Sequence, residues 1–472
     1  MKWHDSITFA LLLEIIVLCL LGQALNRYCD IFREFEPAVL SLQWMLLVFI
    51  AVWCGSFLFL TFNRKDLPLI GLLLIAIAMY FIREVASSRA VGALILLAGV
   101  TLGRGARFTL NEEVRKKNAE VENVSTLVTR HPSLATFLVG FVGLVAFASW
   151  WHLEPMDAYR GPRWMGLWDN PNIYGMLMGA GLTLAIGLLA EMKNAECRMQ
   201  NSGEKRKVES GKRKLLFAAI LLVAVGMMAV GLFFSYSRGA WVGTAVGLLY
   251  LAKAHGKFKW RCVLPVILVV AAVICFFWHS TADTDQWYLK RLDLSRPSAQ
   301  HRVSAWRGAV QMMWDHPLGV GWNNAVSVYD KNYSPPEGGA AALTMNSYLM
   351  LGTELGLPGL LCFVGYVALC FRTKQRHLTP SLSPFDHSAP VKRGEGETSV
   401  VAQQSTPLVT CHSSLPTVCR AGAAVLLVAV WFDGGLFDLP TAAVFWVLLE
   451  LGSARAGKED GWLKIDNDLK AA

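Results

Sequence analysis

A short turn between two apolar segments carries an arginine. The turn reads Ser-Tyr-Ser-Arg-Gly over residues 235–239, and Arg238 is the one charged residue in it. A guanidinium near membrane depth is costly unless it snorkels, pairs or lines a wet cavity, and its planar fork matches phosphate oxygens. A helix that begins at Gly239 would add free N–H groups for an anion. The turn therefore predicts either a phosphate site or a snorkelling interfacial arginine.

A second arginine lies in the long polar stretch 279–345. Residues 300–314 fit a helix, and that helix would place four residues on one face: Arg302, Trp306, Ala309 and Met313. The sequence His-Pro-Leu-Gly-Val-Gly at 316–321 then ends the helix in a Pro/Gly turn. Such a helix would lie on the membrane surface and direct Arg302 inward. An interfacial amphipathic helix without chemistry is the alternative.

A third polar cluster precedes the apolar segment 174–190. It contains Asp169, Asn170 and Asn172 around a proline. Asn-Pro favours a turn or a helix start, so these side chains would lie at a helix N-terminus facing the aqueous side. They would either contact a substrate or act as ordinary helix caps.

The composition indicates the class of protein. The chain of 472 residues is 54% hydrophobic and 17% charged, with a mean hydropathy of +0.41, whereas soluble domains are usually about 25% charged. Many apolar stretches approach the roughly 20 residues that cross a bilayer. The net charge of +9 comes mainly from loops between these stretches, which is typical of topology signals and not of nucleic-acid binding. The sequence predicts an all-α, polytopic membrane protein.

About twelve transmembrane helices are predicted. The segments are roughly 7–23, 38–60, 67–83, 89–103, 134–152, 174–190, 214–234, 239–252, 262–278, 346–370, 420–432 and 437–452. Loops rich in Lys and Arg follow the even-numbered segments, so the positive-inside rule places these loops and both termini in the cytoplasm. The long loop 279–345 then lies on the outer, periplasmic face with the three polar clusters.

These segments divide the chain into four predicted regions. Residues 1–133 form N-terminal transmembrane helices, and 134–370 form a core that includes the periplasmic loop 279–345. Residues 371–419 are predicted to be a disordered cytoplasmic insertion, because their Pro, Ser and Thr content is unlikely to bury a core. Residues 420–472 hold the C-terminal helices and tail. No CxxC pair or carboxylate cluster indicates a metal site.

The ordered motifs resemble the O-antigen ligase and polymerase superfamily. The motifs are NPN at 170–172, SRGA at 237–240, R-x3-W at 302–306 with HPLGVG at 316–321, and NSYL at 346–349 with ELGLPGLL at 354–361. The resemblance implies a GT-C-like glycosyltransferase of the bacterial inner membrane that needs no metal or cofactor. Such an enzyme transfers a glycan from an undecaprenyl-diphosphate donor to a lipid, glycan or protein acceptor at the periplasmic face.

The resemblance also suggests roles for individual residues. Arg238 and Arg302 match the family's important arginines and would hold the diphosphate, where negative charge accumulates. His316 is a further catalytic candidate. The predicted substrate-binding residues are Asp169, Asn170, Asn172, Arg307, Asn346 and Tyr348, with Arg160 and Arg163 as additional candidates for the diphosphate.

The sequence departs from the family's pattern at Met345. Many ligases of this family have a histidine immediately before the Asn of the NSYL-type motif, and methionine cannot act as a general base. Four other residues could deprotonate an acceptor hydroxyl: His301, His316, Asp169 and Glu354. Three functions remain possible for the protein: a ligase that uses another base, a polymerase, or an inactive relative. A transporter for lipid-linked glycans is an alternative, although the sequence shows no inverted repeat.

Overall fold

The computed structural model of the chain describes residues 66–81, 92–93, 95–107, 141, 145, 163–166, 168, 170–201, 209–254, 297–334, 346–372 and 415–453. Every secondary-structure element within these ranges is a helix or a turn, and none of the described residues lies in a β-strand. The described part of the chain is therefore consistent with the predicted all-α class.

The helices have the following bounds. In chain order they are α1 (Leu67–Phe81), α2 (Pro171–Asn201), α3 (Glu209–Phe234), α4 (Arg238–Ala254), α5 (Pro297–Asp315), α6 (Ala325–Asn332), α7 (Ser347–Glu354), α8 (Gly356–Arg372), α9 (Leu415–Ala429) and α10 (Leu439–Ser453), with a 3-10 turn at Gly435–Phe437. Residues 95–107 are also helical. The predicted helix 300–314 is present as α5.

One helix in the described part of the chain is long and apolar enough to cross a membrane by itself. It comprises Pro171–Met192 of α2. Shorter apolar helices include Gly356–Arg372, Leu415–Ala429 and Leu439–Ser453. The count of about twelve spans stays a prediction, because several predicted segments lie outside the described residues.

The structure divides the predicted apolar segment 346–370 into two helices. α7 ends at Glu354, and α8 begins at Gly356. Gly356 has a φ of +75°, a conformation that glycine adopts without the steric cost of a Cβ. The uninterrupted hydrophobicity of this stretch concealed the break, which the backbone conformation at Gly356 produces.

The predicted disordered insertion 371–419 has helical residues at both ends. α8 continues to Arg372, and α9 begins at Leu415. Pro416 is the second residue of α9, and the first turn of a helix tolerates proline because the N–H groups there have no partner within the helix. Residues 373–414 lie outside the described residues.

α9 is packed closely by three other helices, α2, α4 and α10. Glycines allow the close approach on the α4 side. A Cβ added to Gly243 would collide with the carbonyl oxygen of Val425, and one added to Gly247 would contact the Ala421 carbonyl. Small residues at helix interfaces are the usual means by which membrane helices approach one another. The loop that follows α9 is thereby fixed against the N-terminal ends of α2 and α4.

Near the C-terminal end of α10 lies a buried group that we term the ion-paired cluster: Asp66, Arg104, Arg107, Tyr366 and Glu450. A guanidinium nitrogen of Arg104 lies 2.7 Å from Asp66 and another lies 3.0 Å from Glu450. Arg107 lies 3.2 Å from Glu450, and the Tyr366 hydroxyl donates a hydrogen bond to the same carboxylate. The cluster joins α1, the helical residues 95–107, α8 and α10 at one end of the bundle.

Candidate active site

The loop between α9 and α10 is the point at which the predicted clusters meet. We term residues 430–438 the mouth loop. Ser347, the first residue of α7, binds this loop at three places. Its backbone N–H donates to the Val430 carbonyl at 3.0 Å, its hydroxyl donates to the Asp433 carbonyl at 3.1 Å, and that hydroxyl accepts from the Leu436 N–H at 3.1 Å. The start of α7 and the mouth loop therefore form one unit.

The asparagines of the NPN motif have different structural roles. The side-chain oxygen of Asn170 accepts from the Asn172 N–H at 2.8 Å, which is the geometry of a helix cap. The side chain of Asn172 instead reaches across to the mouth loop, where its Nδ2 donates to Asp433 Oδ2 at 2.5 Å. Capping thus accounts for the side-chain oxygen of Asn170, whose side chain also lowers the pKa of Asp433, but it does not account for Asn172. Asp169 lies outside the described residues.

Arg163 connects the NPN motif to the turn that precedes Arg238. Its Nη2 donates to Asn172 Oδ1 at 2.7 Å, and its Nε donates to the Ser235 carbonyl at 2.8 Å. Only 7% of Arg163 is exposed. Buried in this way, the guanidinium positions other site groups. Arg160, the companion candidate, lies outside the described residues.

Arg238 is the first residue of α4, and it is exposed. The turn before it is compact, because the Ser237 hydroxyl accepts from the Ala240 N–H at 3.4 Å and Tyr236 has a φ of +49°. A Cβ added to Gly239 would come within 2.8 Å of Phe432. Arg238 therefore lies beside the mouth loop at the N-terminus of a helix, where the helix dipole also favours an anion.

Arg302 lies close enough to the mouth loop to influence its charge. It lies on α5, is partly exposed, and its positive charge contributes to lowering the pKa of Asp433. One turn later, the Trp306 ring meets Trp431 edge to face, with centroids 6.2 Å apart. Ala309 on the same face is buried. The predicted inward face of this helix is present, and it contacts the mouth loop.

Asn346 caps α7 within the site. It is fully buried, and its Oδ1 accepts from the N–H groups of Tyr348 at 3.0 Å and Leu349 at 3.1 Å. Its Nδ2 is buried and has no hydrogen-bond partner within the described part of the chain. The Tyr348 hydroxyl donates to the Leu427 carbonyl at 2.7 Å, and its ring lies 5.4 Å from that of Trp431. Tyr348 thus hydrogen-bonds to the end of α9 and packs against Trp431 of the mouth loop.

The HPLGVG and ELGLPG motifs dock against each other through their backbones. The Val320 N–H donates to the Thr353 carbonyl at 2.9 Å, and the Leu357 N–H donates to the Pro317 carbonyl at 2.9 Å. A Cβ on Gly319 would collide with residues 354–356, and one on Gly356 would collide with residues 317–319. The two motifs therefore act together as a structural joint that fixes α5 against α7.

Two of the predicted residues lie on exposed surface. His316 follows the last residue of α5 and is exposed, and Arg307 is exposed on α5. The catalytic role of His316 and the binding role of Arg307 stay predictions. Neither side chain has a described contact with the mouth loop.

The two aspartates of the mouth loop are the residues that sequence reasoning missed. Burial raises the pKa of Asp433, against the lowering effects of Asn172, the Gly434 N–H, Arg302 and Asn170. Burial and the neighbouring charge of Asp433 raise the pKa of Asp438 to about 7. The available signal was a Gly-Gly pair flanked by two aspartates between apolar segments. Among the described residues, no group of three or more His, Cys, Asp or Glu side chains could hold a metal.

Comparison with known families finds a match that covers part of this site. Residues 221–364 match the family model described as O-antigen ligase. This match supports the predicted resemblance to the O-antigen ligase and polymerase superfamily. No curated protein matches the chain.

The O-antigen ligase match includes three of the site's elements and omits two. Arg238, Arg302 and Asn346 lie within the matched residues, whereas the NPN motif and the mouth loop lie outside them. The match indicates an O-antigen ligase-like membrane function for the matched residues.

Proposed function

We propose that this protein transfers a glycan from an undecaprenyl-diphosphate donor to a lipid, glycan or protein acceptor at the periplasmic face of the bacterial inner membrane. One observation carries the proposal: the mouth loop joins three motifs that are far apart in the sequence. It hydrogen-bonds to Asn172 and Ser347, and Phe432 packs against Gly239 beside Arg238. A site assembled from family motifs in this way has the organisation of an active site.

The two arginines near the mouth loop, Arg238 and Arg302, suit the chemistry of a diphosphate leaving group. As the glycosidic bond to the diphosphate breaks, negative charge grows on the phosphate oxygens, and fixed cations that meet that charge lower the barrier. Arg302 is near enough to Asp433 to influence its pKa, and Arg238 is next to the residue that packs on Phe432. Phe432 and Asp433 are consecutive, so both arginines would reach a diphosphate bound over this loop.

The proposal is tested by donor cleavage with purified protein in detergent. The assay supplies an undecaprenyl-diphosphate glycan with an acceptor and measures released undecaprenyl diphosphate. Removing one transition-state hydrogen-bond donor typically slows catalysis by about 10²–10³-fold, and we expect that loss for Arg238→Ala and for Arg302→Ala. Arg372→Ala, at the exposed far end of α8, is the matched control. Wild-type release in both site variants would eliminate the diphosphate site.

The same assay separates the related functions. If the protein is a ligase, glycan appears on the supplied acceptor. If it is a polymerase, donor alone yields longer undecaprenyl-linked glycans. Movement of intact donor across liposomes without cleavage would favour a transporter instead. A reporter that is active only in the periplasm, fused after Tyr333, should be active if the α5–α6 region is periplasmic. An inactive reporter there, with the fusion protein present at its normal level, would overturn the proposed topology.

A further inference from the structure

We propose that Asp433 is the general base that deprotonates the acceptor hydroxyl, with Asn172 and Arg163 as its positioning residues. The proposal rests on the glycan transfer proposed above, and it supplies the base that the sequence lacks at Met345. The reaction requires such a group because a sugar hydroxyl is a weak nucleophile until its proton is removed as it attacks.

Hydrogen-bond chemistry fixes the direction of the Arg163–Asn172–Asp433 chain. A guanidinium has donors and no acceptor, so the Asn172 atom 2.7 Å from Arg163 Nη2 must be the amide oxygen. The amide nitrogen must then point to Asp433, 2.5 Å from its Oδ2. The usual ambiguity between amide oxygen and nitrogen is thereby removed. Asn172 is set to donate to the carboxylate, as an orienting group donates to a catalytic base.

Arg163, the first residue of this series of hydrogen bonds, is held in place by contacts with residues 234 and 235. Arg163 Nε donates to the Ser235 carbonyl, and the neighbouring Trp164 N–H donates to the Phe234 carbonyl at 2.9 Å. The Trp164 ring also stacks on Phe234, with centroids 4.5 Å apart. The end of α3 therefore holds Arg163, and through it the Asp433 carboxylate, next to the turn that carries Arg238.

Asp433 also lies at the point where the family pattern leads one to expect a base. The expected histidine position is 345, immediately before Asn346. Although Met345 is outside the described residues, Ser347 is hydrogen-bonded to the Asp433 carbonyl. The described residues that follow position 345 thus form the contact between α7 and the mouth loop. A carboxylate contributed by the loop could serve a hydroxyl bound at this contact.

The charges around Asp433 suit an acid–base role. Burial raises the pKa of Asp433, while donation from Asn172, the Gly434 N–H, the charge of Arg302 and donation from Asn170 oppose that rise. The charged groups that face it are Arg302 on α5, Arg163 through Asn172, and Asp438 in the same loop. A base operates best when its pKa approaches the working pH. Burial moves this carboxyl in that direction, and the donors preserve its ionised form.

The transfer step then balances as follows. The acceptor oxygen forms a bond to the anomeric carbon of the donor glycan while its proton passes to the Asp433 carboxylate. The bond between that carbon and the diphosphate oxygen breaks, and its electron pair stays on the diphosphate. Arg238 and Arg302 receive the resulting negative charge. Asp433 later returns its proton to water.

The other candidate bases have weaker positions. His316 is exposed on the joint between α5 and α7. Glu354 is 4% exposed at the end of α7, where its carbonyl accepts from the Gly321 N–H. Asp438 is the true competitor, because it lies in the same loop and its pKa is about 7. The decisive experiment therefore compares the two aspartates.

The test uses full-length Asp433→Asn and Asp438→Asn proteins in the donor-cleavage assay over a range of pH. Asparagine preserves the shape of Asp433 and an oxygen that accepts from Asn172. Loss of a general base costs about 10²–10⁴-fold, and we expect such a loss in Asp433→Asn, with normal binding of labelled undecaprenyl diphosphate. We expect Asp438→Asn to stay within about threefold of wild type. Asp433→Asn at wild-type rate, or loss confined to Asp438→Asn, would overturn the proposal.

A second variant tests positioning through a quantity that a purely structural role would not move. Asn172→Ala removes a donor that favours the ionised form of Asp433, so the acidic limb of the kcat/KM profile should move to higher pH. If the acidic limb of the Asn172→Ala profile stays at the wild-type pH, the assignment of Asp433 as the general base is contradicted. This test still applies if Asp433→Asn fails to fold. Restored donor cleavage in Asp433→Gly on addition of formate would support Asp433 as the general base.

If wild-type protein releases no undecaprenyl diphosphate with any acceptor, the proposed function itself fails, which is a different result from a failure of Asp433 alone.

Discussion

Two clusters of polar residues lie near opposite ends of α10, and their buried charges are stabilised in different ways. In the ion-paired cluster, Arg104 is 4% exposed and lies against two carboxylates. In the mouth loop, Asp433 receives a hydrogen bond from a neutral amide, Asn172, while Arg238 is exposed and Arg302 partly so. About 18 Å of helix separates Asp438 from Glu450, at 1.5 Å per residue.

The difference indicates which of the two can react with a substrate. Charges that already neutralise one another have little left to offer a ligand, and breaking a buried pair is strongly destabilising. Cations at an aqueous surface beside a carboxylate held by amides can instead meet a diphosphate and a hydroxyl. We therefore expect substitutions in the ion-paired cluster to change stability and substitutions of Arg238, Arg302 and Asp433 to change activity.

The largest expected effect on stability is that of Arg104→Ala. The change leaves Asp66 and Glu450 without their central cation, and removal of one partner of a buried pair costs about 3–5 kcal/mol. We expect a strongly lowered Tm in detergent or poor recovery of folded protein. The double variant Arg104→Met with Asp66→Asn should recover part of that loss, because it removes both charges of one pair and leaves Glu450 paired with Arg107. A Tm of Arg104→Ala equal to that of wild type would mean that the cluster is not structural.

The joint between α5 and α7 should show the next largest effect. In Gly356→Ala, the added Cβ meets residues 317–319 and strains a backbone at φ +75°, so we expect a loss on the order of 2 kcal/mol. Activity should also fall, because the joint positions Arg302. Gly226→Ala is the matched control. It lies within α3 with nothing within 4 Å of an added Cβ, and alanine should stabilise that helix slightly. Equal Tm changes in the two variants would contradict the joint.

Much of the site was predictable from local sequence, and its central contact was not. The face of α5 with Arg302 and Trp306 follows from helical spacing, and the cap at Asn170 follows from Asn-Pro. The hydrogen bond between Asn172 and Asp433 joins residues 261 apart in the sequence. Nothing in the local pattern of either segment specifies its partner. The break at Gly356 was hidden for a related reason, since the backbone that fills the space around this glycine belongs to residues 317–319.

Arg302→Lys separates a cation requirement from a geometric requirement at the mouth loop. Lysine retains the positive charge but loses the planar fork that binds two phosphate oxygens. We expect donor cleavage to fall about tenfold, which corresponds to roughly 1.4 kcal/mol of transition-state stabilisation, with an unchanged Tm. The matching Lys substitution at the exposed Arg372 should affect neither quantity. A large loss of Tm in Arg302→Lys would instead make Arg302 resemble the arginines of the ion-paired cluster.

Asp438→Asn should produce a pH-dependent gain of stability. Burial and the charge of Asp433 raise the pKa of Asp438 to about 7 in the folded protein, above the ordinary value near 3.9. A raised pKa means that the protonated form is favoured by folding, so this contribution to stability is complete below about pH 4 and is lost as the pH rises through 7. Asparagine cannot ionise, so the variant does not lose this contribution to stability as the pH rises. The variant should match wild type at pH 4 and exceed it at pH 8.

Thermal unfolding at several pH values measures this difference directly. Asp330→Asn, on the exposed surface of α6, changes the same charge without removing a buried carboxyl, so its Tm difference from wild type should stay constant across the range. If the Tm difference between Asp438→Asn and wild type is also constant with pH, the Asp438 carboxylate is stabilised by neighbouring groups, as the carboxylates of the ion-paired cluster are. A growing difference would show that the mouth loop keeps two carboxyls close together at a cost in stability. Catalytic sites accept such a cost because the same proximity moves a carboxyl pKa toward neutral pH.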